Sequence, residues 1–431
     1  MTRARLAGAL MAAGLVLMAG FAPDAMAIPV IDLPTDQPQE VTSGGERVSF
    51  RSGMEATEKG DFVRAKSIFN AFLEANPKAP GAYLGLTEVA VRMKDLAGAE
   101  KILAQGIQAS PKVSEFYSTQ ARLLKMRKNY AGADQQYAKA ISLAPNKLKL
   151  RVEYADFLAT ERNQPQKALP HYNLALSKNP QSAEAQFGLA FAYSQLNREK
   201  DSIGALDKAQ RLAPKNPMPS YTLARIHLRA GRHKEALAAI DRSLKIAPQG
   251  LNAHLTRAEI LLGLGRYDQA ASAYNAALQI DKSSQPAVIG IGMSYQLMRN
   301  YSQAETYYRR AIAKDPRQAF VLNNLAWMAA ERKTNLPEAV DWAQRATKIF
   351  PAQANFRDTL GWVYYQKGDY RAAKSEFLAA LKLHPDAATY THLGAANAAL
   401  GLQAEAKDSY RQALKLEPAF KPALSGLQGM K

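Results

Sequence analysis

A proline closes each helical stretch of this 431-residue chain, and the spacing of those prolines limits what it can fold into. Pro77, Pro111, Pro145, Pro180, Pro214 and Pro248 come first. Lys282 stands where the next is due, and Pro316, Pro351, Pro385 and Pro418 follow. The ten intervals are 34, 34, 35, 34, 34, 34, 34, 35, 34 and 33 residues. A period of this length marks a stack of small units, each unable to bury its apolar face alone. Proline ends each unit because it lacks an amide donor and its ring collides with the preceding turn.

The interior of the unit repeats too. Twelve residues before each mark stands a small residue, from Ala65 and Ala99 to Ala373 and Ala406, with Ser202 the one that is not alanine. Five before it the residue is usually small again, as at Ala140, Ala175, Ser243, Ala346 and Ala413. Eight before it the residue is usually large and apolar or aromatic, such as Phe69, Tyr137, Tyr274, Tyr308, Phe377 or Tyr410, with Ala343 the exception. Small residues let two helices approach closely, and a large one a turn away fills the space between neighbouring pairs. Gly60, Gly231, Gly265, Gly368 and Gly401 fall where the chain turns between the two helices of a unit. The units around Pro165 and Leu336-Pro337 each carry one extra residue in that turn. The expected fold is all-α: a helix-turn-helix solenoid of about eleven repeats over residues 46–420, with a capping segment at 421–431.

The first 27 residues read as an export signal. Arg3 and Arg5 give a positive start, Leu6–Phe21 is uncharged, and Ala25-Met26-Ala27 supplies small residues for a signal peptidase. The apolar run is shorter than the roughly 20 residues that span a bilayer. Cleavage after Ala27 and a periplasmic location are therefore expected. With no cysteine in the chain, a lipid-modified N-terminal cysteine, disulfides, thiolate metal sites and a cysteine nucleophile are excluded. Residues 28–45, with three prolines and two glycines, read as an extended linker.

Nothing in the sequence proposes catalysis, a cofactor or a metal. His171, His227, His233, His254, His384 and His392 are scattered, without a dense ligand pattern. No phosphate loop, dinucleotide fingerprint or nucleophile elbow is present. The formal charge of +18 permits anionic partners, although a solvated basic surface is its ordinary reading. Export would separate that surface from nucleic acid.

The pattern resembles the tetratricopeptide-repeat (TPR) family, most fully in the unit from Ala354 to Asp386: Leu360-Gly361, Tyr364, Gly368, Tyr370, Ala373, Phe377, Ala380 and Pro385 fall on family positions. The resemblance implies a right-handed superhelix whose first helices line a groove, with their second, fifth, ninth and twelfth residues inward. Three candidate groups result. Arg122 and Lys125, near Arg92, form a basic one. Phe187, Phe191, Tyr221, Arg225 and Arg229 form a mixed one. Asn323, Asn324, Trp327, Asn355, Trp362 and Tyr365 form an aromatic and amide one. Rings beside guanidinium or amide groups suit peptides and sugars. The tryptophans are equally placed to pack between helices. The full carboxylate clamp of some TPR domains does not appear. Thr222, Thr256, Gly290 and Thr359 do not continue Asn324 as a ladder.

LNNLAW at Leu322–Trp327 and DTLGWVYYQKGDY at Asp358–Tyr370 resemble long TPR proteins of bacterial exopolysaccharide synthesis and export. That resemblance implies a periplasmic scaffold whose basic groove meets protein partners, or an acidic polysaccharide, of a cell-envelope machine. The alternative is a chaperone-like adaptor for outer-membrane protein, pilus or cytochrome assembly.

Overall fold

The computed structural model describes residues 40–430; the export-signal segment and the linker up to residue 39 lie outside them. Among the described residues eleven helix pairs follow one another, from Phe50–Lys59 with Phe62–Ala75 to Ala387–Ala399 with Gln403–Leu416. One more helix, Lys421–Gln428, ends the series. The expected helix-turn-helix solenoid is the fold. Its described residues divide into two compact units, one ending at Leu223 and the other beginning at Ala224.

The turn inside each pair has one recurrent conformation. Gly60, Gly231, Gly265, Gly368 and Gly401 hold φ between 70° and 89°. Lys94, Lys128, Asn197, Arg299 and Lys333 occupy the same place with φ between 53° and 62°. The register therefore requires a left-handed residue there, which glycine adopts without strain. The next residue caps the second helix in five pairs: Asp61, Asp95, Asn129, Asn300 and Asp369 each accept a hydrogen bond from the amide three residues on. Where the turn carries its extra residue, Asn163 and Asn335 add a left-handed residue of their own.

Packing between pairs turns on the large residue eight before each mark. Phe69, Tyr137, Tyr172, Tyr308 and Phe377 are fully buried. Each ring reaches the first helix of its own pair, that of the next pair, or both. Phe69 lies where a Cβ on Gly53, in its own pair, or on Gly85, in the next, would come within 2.8 and 2.6 Å. Tyr410 fills the same space between Gly394 and Gly426. This second contact is how the final helix caps the stack, with Phe420, Leu427 and Met430 packed around Tyr410 and buried Ala423.

The N-terminal end differs from expectation. Residues 40–45, read as linker, and 46–49, read as the start of the first repeat, form a hairpin of strands Glu40–Ser43 and Glu46–Ser49. The cause is local: Gly44-Gly45, with φ of 58° and 85°, makes the tight turn between β-branched residues. Val41 and Val48 pack onto the cluster of Ala56, Ile68, Phe69 and Phe72, so the hairpin covers the first pair.

Two glycine substitutions should change stability in opposite directions. A Cβ on Gly290 would sit 2.3 Å from the enclosed ring of Tyr274, whereas one on Gly204 would meet nothing within 4 Å. Gly290→Ala is expected to destabilise by about 1–3 kcal/mol through overpacking. Gly204→Ala, in the middle of helix Glu199–Leu212, should stabilise by about 0.5–1 kcal/mol. Urea-unfolding midpoints of the two variants check both signs.

Candidate partner-binding face

Several rings that hold the pairs together end in a hydroxyl, and each hydroxyl emerges among polar residues of a first helix. Tyr137 donates to Glu153 Oε1 at 2.9 Å, Tyr172 to Asp156, and Tyr308 to Gln296 Oε1 at 2.7 Å. Tyr308 also accepts from Asn324 Nδ2 at 3.2 Å. The first helices thus carry polar side chains fixed from behind by the core.

The group read as basic is charge-balanced instead. Arg122 makes a two-pronged bond to Glu153, Nε to Oε1 and Nη2 to Oε2, both at 2.6 Å. Lys125 pairs with Glu161 at 3.3 Å, and Arg92 with Glu88 at 2.6 Å. Lys147 and Glu115 add a further pair at 2.7 Å, and between this pair and Arg122–Glu153 lies a pocket lined also by Ser114, Ser118, Thr119 and Lys149. The correction extends along the array. At the second, fifth, ninth and twelfth positions of the first helices from Pro80 to Ala399 stand four cations, Arg122, Lys125, Lys149 and Arg229, with Arg225 at an eighth position. Six carboxylates stand against them, Glu88, Glu115, Asp156, Glu184, Glu259 and Asp358. These positions carry more acidic residues than cations.

The mixed group is divided. Phe187, Phe191 and Tyr221 are half-buried in the first unit, Phe191 against the cluster that contains Leu158, Tyr172 and Leu189. Arg225 is half-buried and Arg229 exposed in the second unit. Sequence reading passed over two carboxylates at the ninth position, Asp156 and Glu259. Burial pushes each up to about 7, opposed in Asp156 by the Tyr172 hydroxyl and in Glu259 by the charge of Arg225.

The aromatic and amide group is the best assembled. Trp362 stacks on Tyr365, with ring centroids 5.1 Å apart and planes 6° apart, and on His392 of the next repeat at 4.6 Å. His392 Nδ1 lies 2.8 Å from Oδ1 of buried Asp358. The indole N–H of Trp362 donates to Glu331 Oε1 at 2.8 Å. Trp327 meets Tyr301 edge-on at 6.4 Å. Both tryptophans are half-buried against the core, so they pack and face outward at once. Asn323 is buried, its Oδ1 without a hydrogen-bond partner, and Asn355 is exposed. His392, Asp358 and Glu331 belong to this cluster although the sequence did not single them out. The available signal was spacing, since each meets Trp362 or its neighbours about one repeat away.

No helix among the described residues is long and apolar enough to cross a membrane, and no group of His, Asp and Glu among them is arranged to hold a metal. Two tetratricopeptide-repeat family models match the sequence, one at residues 56–123 and 159–218, the other at 290–354 and 359–420, together more than half of the chain. The chain is a member of the tetratricopeptide-repeat family. A model of the anaphase-promoting complex, cyclosome, subunit 3 matches residues 195–277. A TPR repeat-containing protein of Pseudomonas aeruginosa is 33% identical over 93 residues, 22% of this chain and 16% of that protein's length. Among solved structures, the Cut9–Hcn1 hetero-tetramer of the APC/C has a TM-score of 0.48 at 14% identity, covering 88% of this chain and 95% of that one. A tetratricopeptide repeat protein from Parabacteroides merdae has a TM-score of 0.48 at 19% identity, covering 58% and 99%. Likenesses of this depth carry no argument about partners.

The raised pKa of Glu259 has a stability consequence. Its carboxyl holds a proton in the folded chain at pH values where the unfolded chain has lost it, so stability falls as pH rises from about 4.5 to about 7. Above that window the folded state carries a half-buried carboxylate. Glu259→Gln is expected to stabilise at pH 8 by on the order of 1 kcal/mol or more, with the gain vanishing near pH 4. Thermal unfolding at the two pH values checks this.

Proposed function

We propose that this TPR protein is an exported, periplasmic scaffold that holds protein partners of a bacterial cell-envelope assembly against its first helices. The family's common work is protein–protein interaction. The observation that carries the reading here is the half-exposed aromatic cluster of Trp362, Tyr365 and His392, fixed by a hydrogen bond and stacking before any partner arrives, with half-exposed Trp327 on the preceding first helix. Rings immobilised in this way lose little entropy on binding. Export is supported by the charge pattern of residues 1–27, and exopolysaccharide synthesis or export by the phrases at 322–327 and 358–370. The balanced charge of the face favours protein partners over an acidic polysaccharide.

A photo-crosslinking residue placed at exposed Asn355 or exposed Arg229 tests the proposal in living cells. Discrete crosslinked envelope proteins are expected, together with reduced extracellular polymer when the gene is deleted. Crosslinks to many unfolded outer-membrane or pilus proteins, with normal polymer, would favour the chaperone-like adaptor instead. An N-terminus other than Ile28 on the mature protein would overturn the assigned cleavage site.

A further inference from the structure

Several carboxylates of the first helices have charged partners. Glu88, Glu115 and Glu153 are ion-paired, and Asp358 meets His392. Glu331 is different. It is exposed, and among the described residues no cation lies within ion-pair distance of it; Arg332, its neighbour in sequence, turns to Glu305 at 3.4 Å. Its Oε1 accepts the indole N–H of Trp362, which fixes the direction of the carboxylate and leaves Oε2 open. One helical turn before Glu331, on the same face of helix Ala319–Arg332, stands half-buried Trp327, which Tyr301 meets edge-on.

A pinned, unpaired carboxylate one turn from an indole is the complement of a cationic side chain. A guanidinium group donates in-plane to the carboxylate while its flat face lies on the ring. An ammonium group gains the charge interaction without the matched plane. An acidic segment is repelled by Glu331, and a sugar hydroxyl donates a hydrogen bond to it without bringing a charge to meet it. Trp362 is less suited to receive the cation, because Tyr365 and His392 already stack on it. Its part is to hold Glu331 still.

We infer that Trp327 and Glu331 form a subsite for an arginine side chain presented by the partner protein. This rests on the reading of the chain as a protein-binding scaffold and names the chemistry it selects.

The test uses the full chain and fluorescein-labelled Gly-Ser-Arg repeat peptides, with Gly-Ser-Glu and Gly-Ser-Lys counterparts, measured by fluorescence anisotropy at fixed ionic strength. The arginine peptide should bind at least about tenfold tighter than the glutamate peptide and several-fold tighter than the lysine peptide. Glu331→Gln keeps an oxygen for the Trp362 N–H and should weaken the arginine peptide about tenfold without shifting the thermal midpoint. Trp327→Leu should weaken it about threefold to tenfold. Glu417→Gln removes the same charge from an exposed position elsewhere and should leave binding unchanged. Equal loss in Glu331→Gln and Glu417→Gln, or no loss in Glu331→Gln, overturns the subsite. Crosslinked partners with Glu331-independent peptide binding would leave the scaffold and remove the subsite; Glu331-dependent binding with no crosslinked partner would do the reverse.

Discussion

The fold depends on one contact repeated along the chain: a large residue of most second helices driven against first helices, which in many pairs carry glycine where it lands. Phe69 between Gly53 and Gly85, and Tyr410 between Gly394 and Gly426, show both halves of the contact. The ring belongs to two pairs at once, so no pair buries its apolar face without its neighbour. Interiors are packed too densely for that contact to yield by small amounts. This is why the glycines there are fixed by volume and those in the turns by backbone conformation, two demands that look identical in composition.

The same rings connect core to surface. Because tyrosine has a polar tip, a residue chosen to fill space also fixes the acid or amide in front of it, as Tyr137 does with Glu153 and Tyr308 with Gln296 and Asn324. A buried hydroxyl must find a partner, and the first helices supply it. Part of the polar character of the candidate face is therefore a product of stability, and side chains so committed are poorer guides to binding than Glu331, which satisfies no buried group.

Most of the fold was legible because its register is written every 34 residues or so: mark, small residue, ring and turn. The site was legible only in part. Arg122 could be placed on a first helix, but its partner Glu153 lies 31 residues away, one repeat less one helical turn, and the same separation joins Trp362 to Glu331. Reading one helix at a time counts the cation and misses the carboxylate that neutralises it, which is how a balanced face came to look basic. The hairpin was missed for a different reason. Prolines dominated the reading of residues 28–45 and hid Gly44-Gly45, a turn signal whose strands matter only because Val41 and Val48 find the first pair to pack on.

The hairpin at one end and the short helix at the other make the two ends of the series unlike its middle. Between them each ring holds only its own pair and the next, so a pull along the chain loads these contacts in series. Repeats would then yield one after another, each releasing on the order of 110 Å of chain. Under such a pull the chain would lengthen in steps, its caps setting where the first step begins.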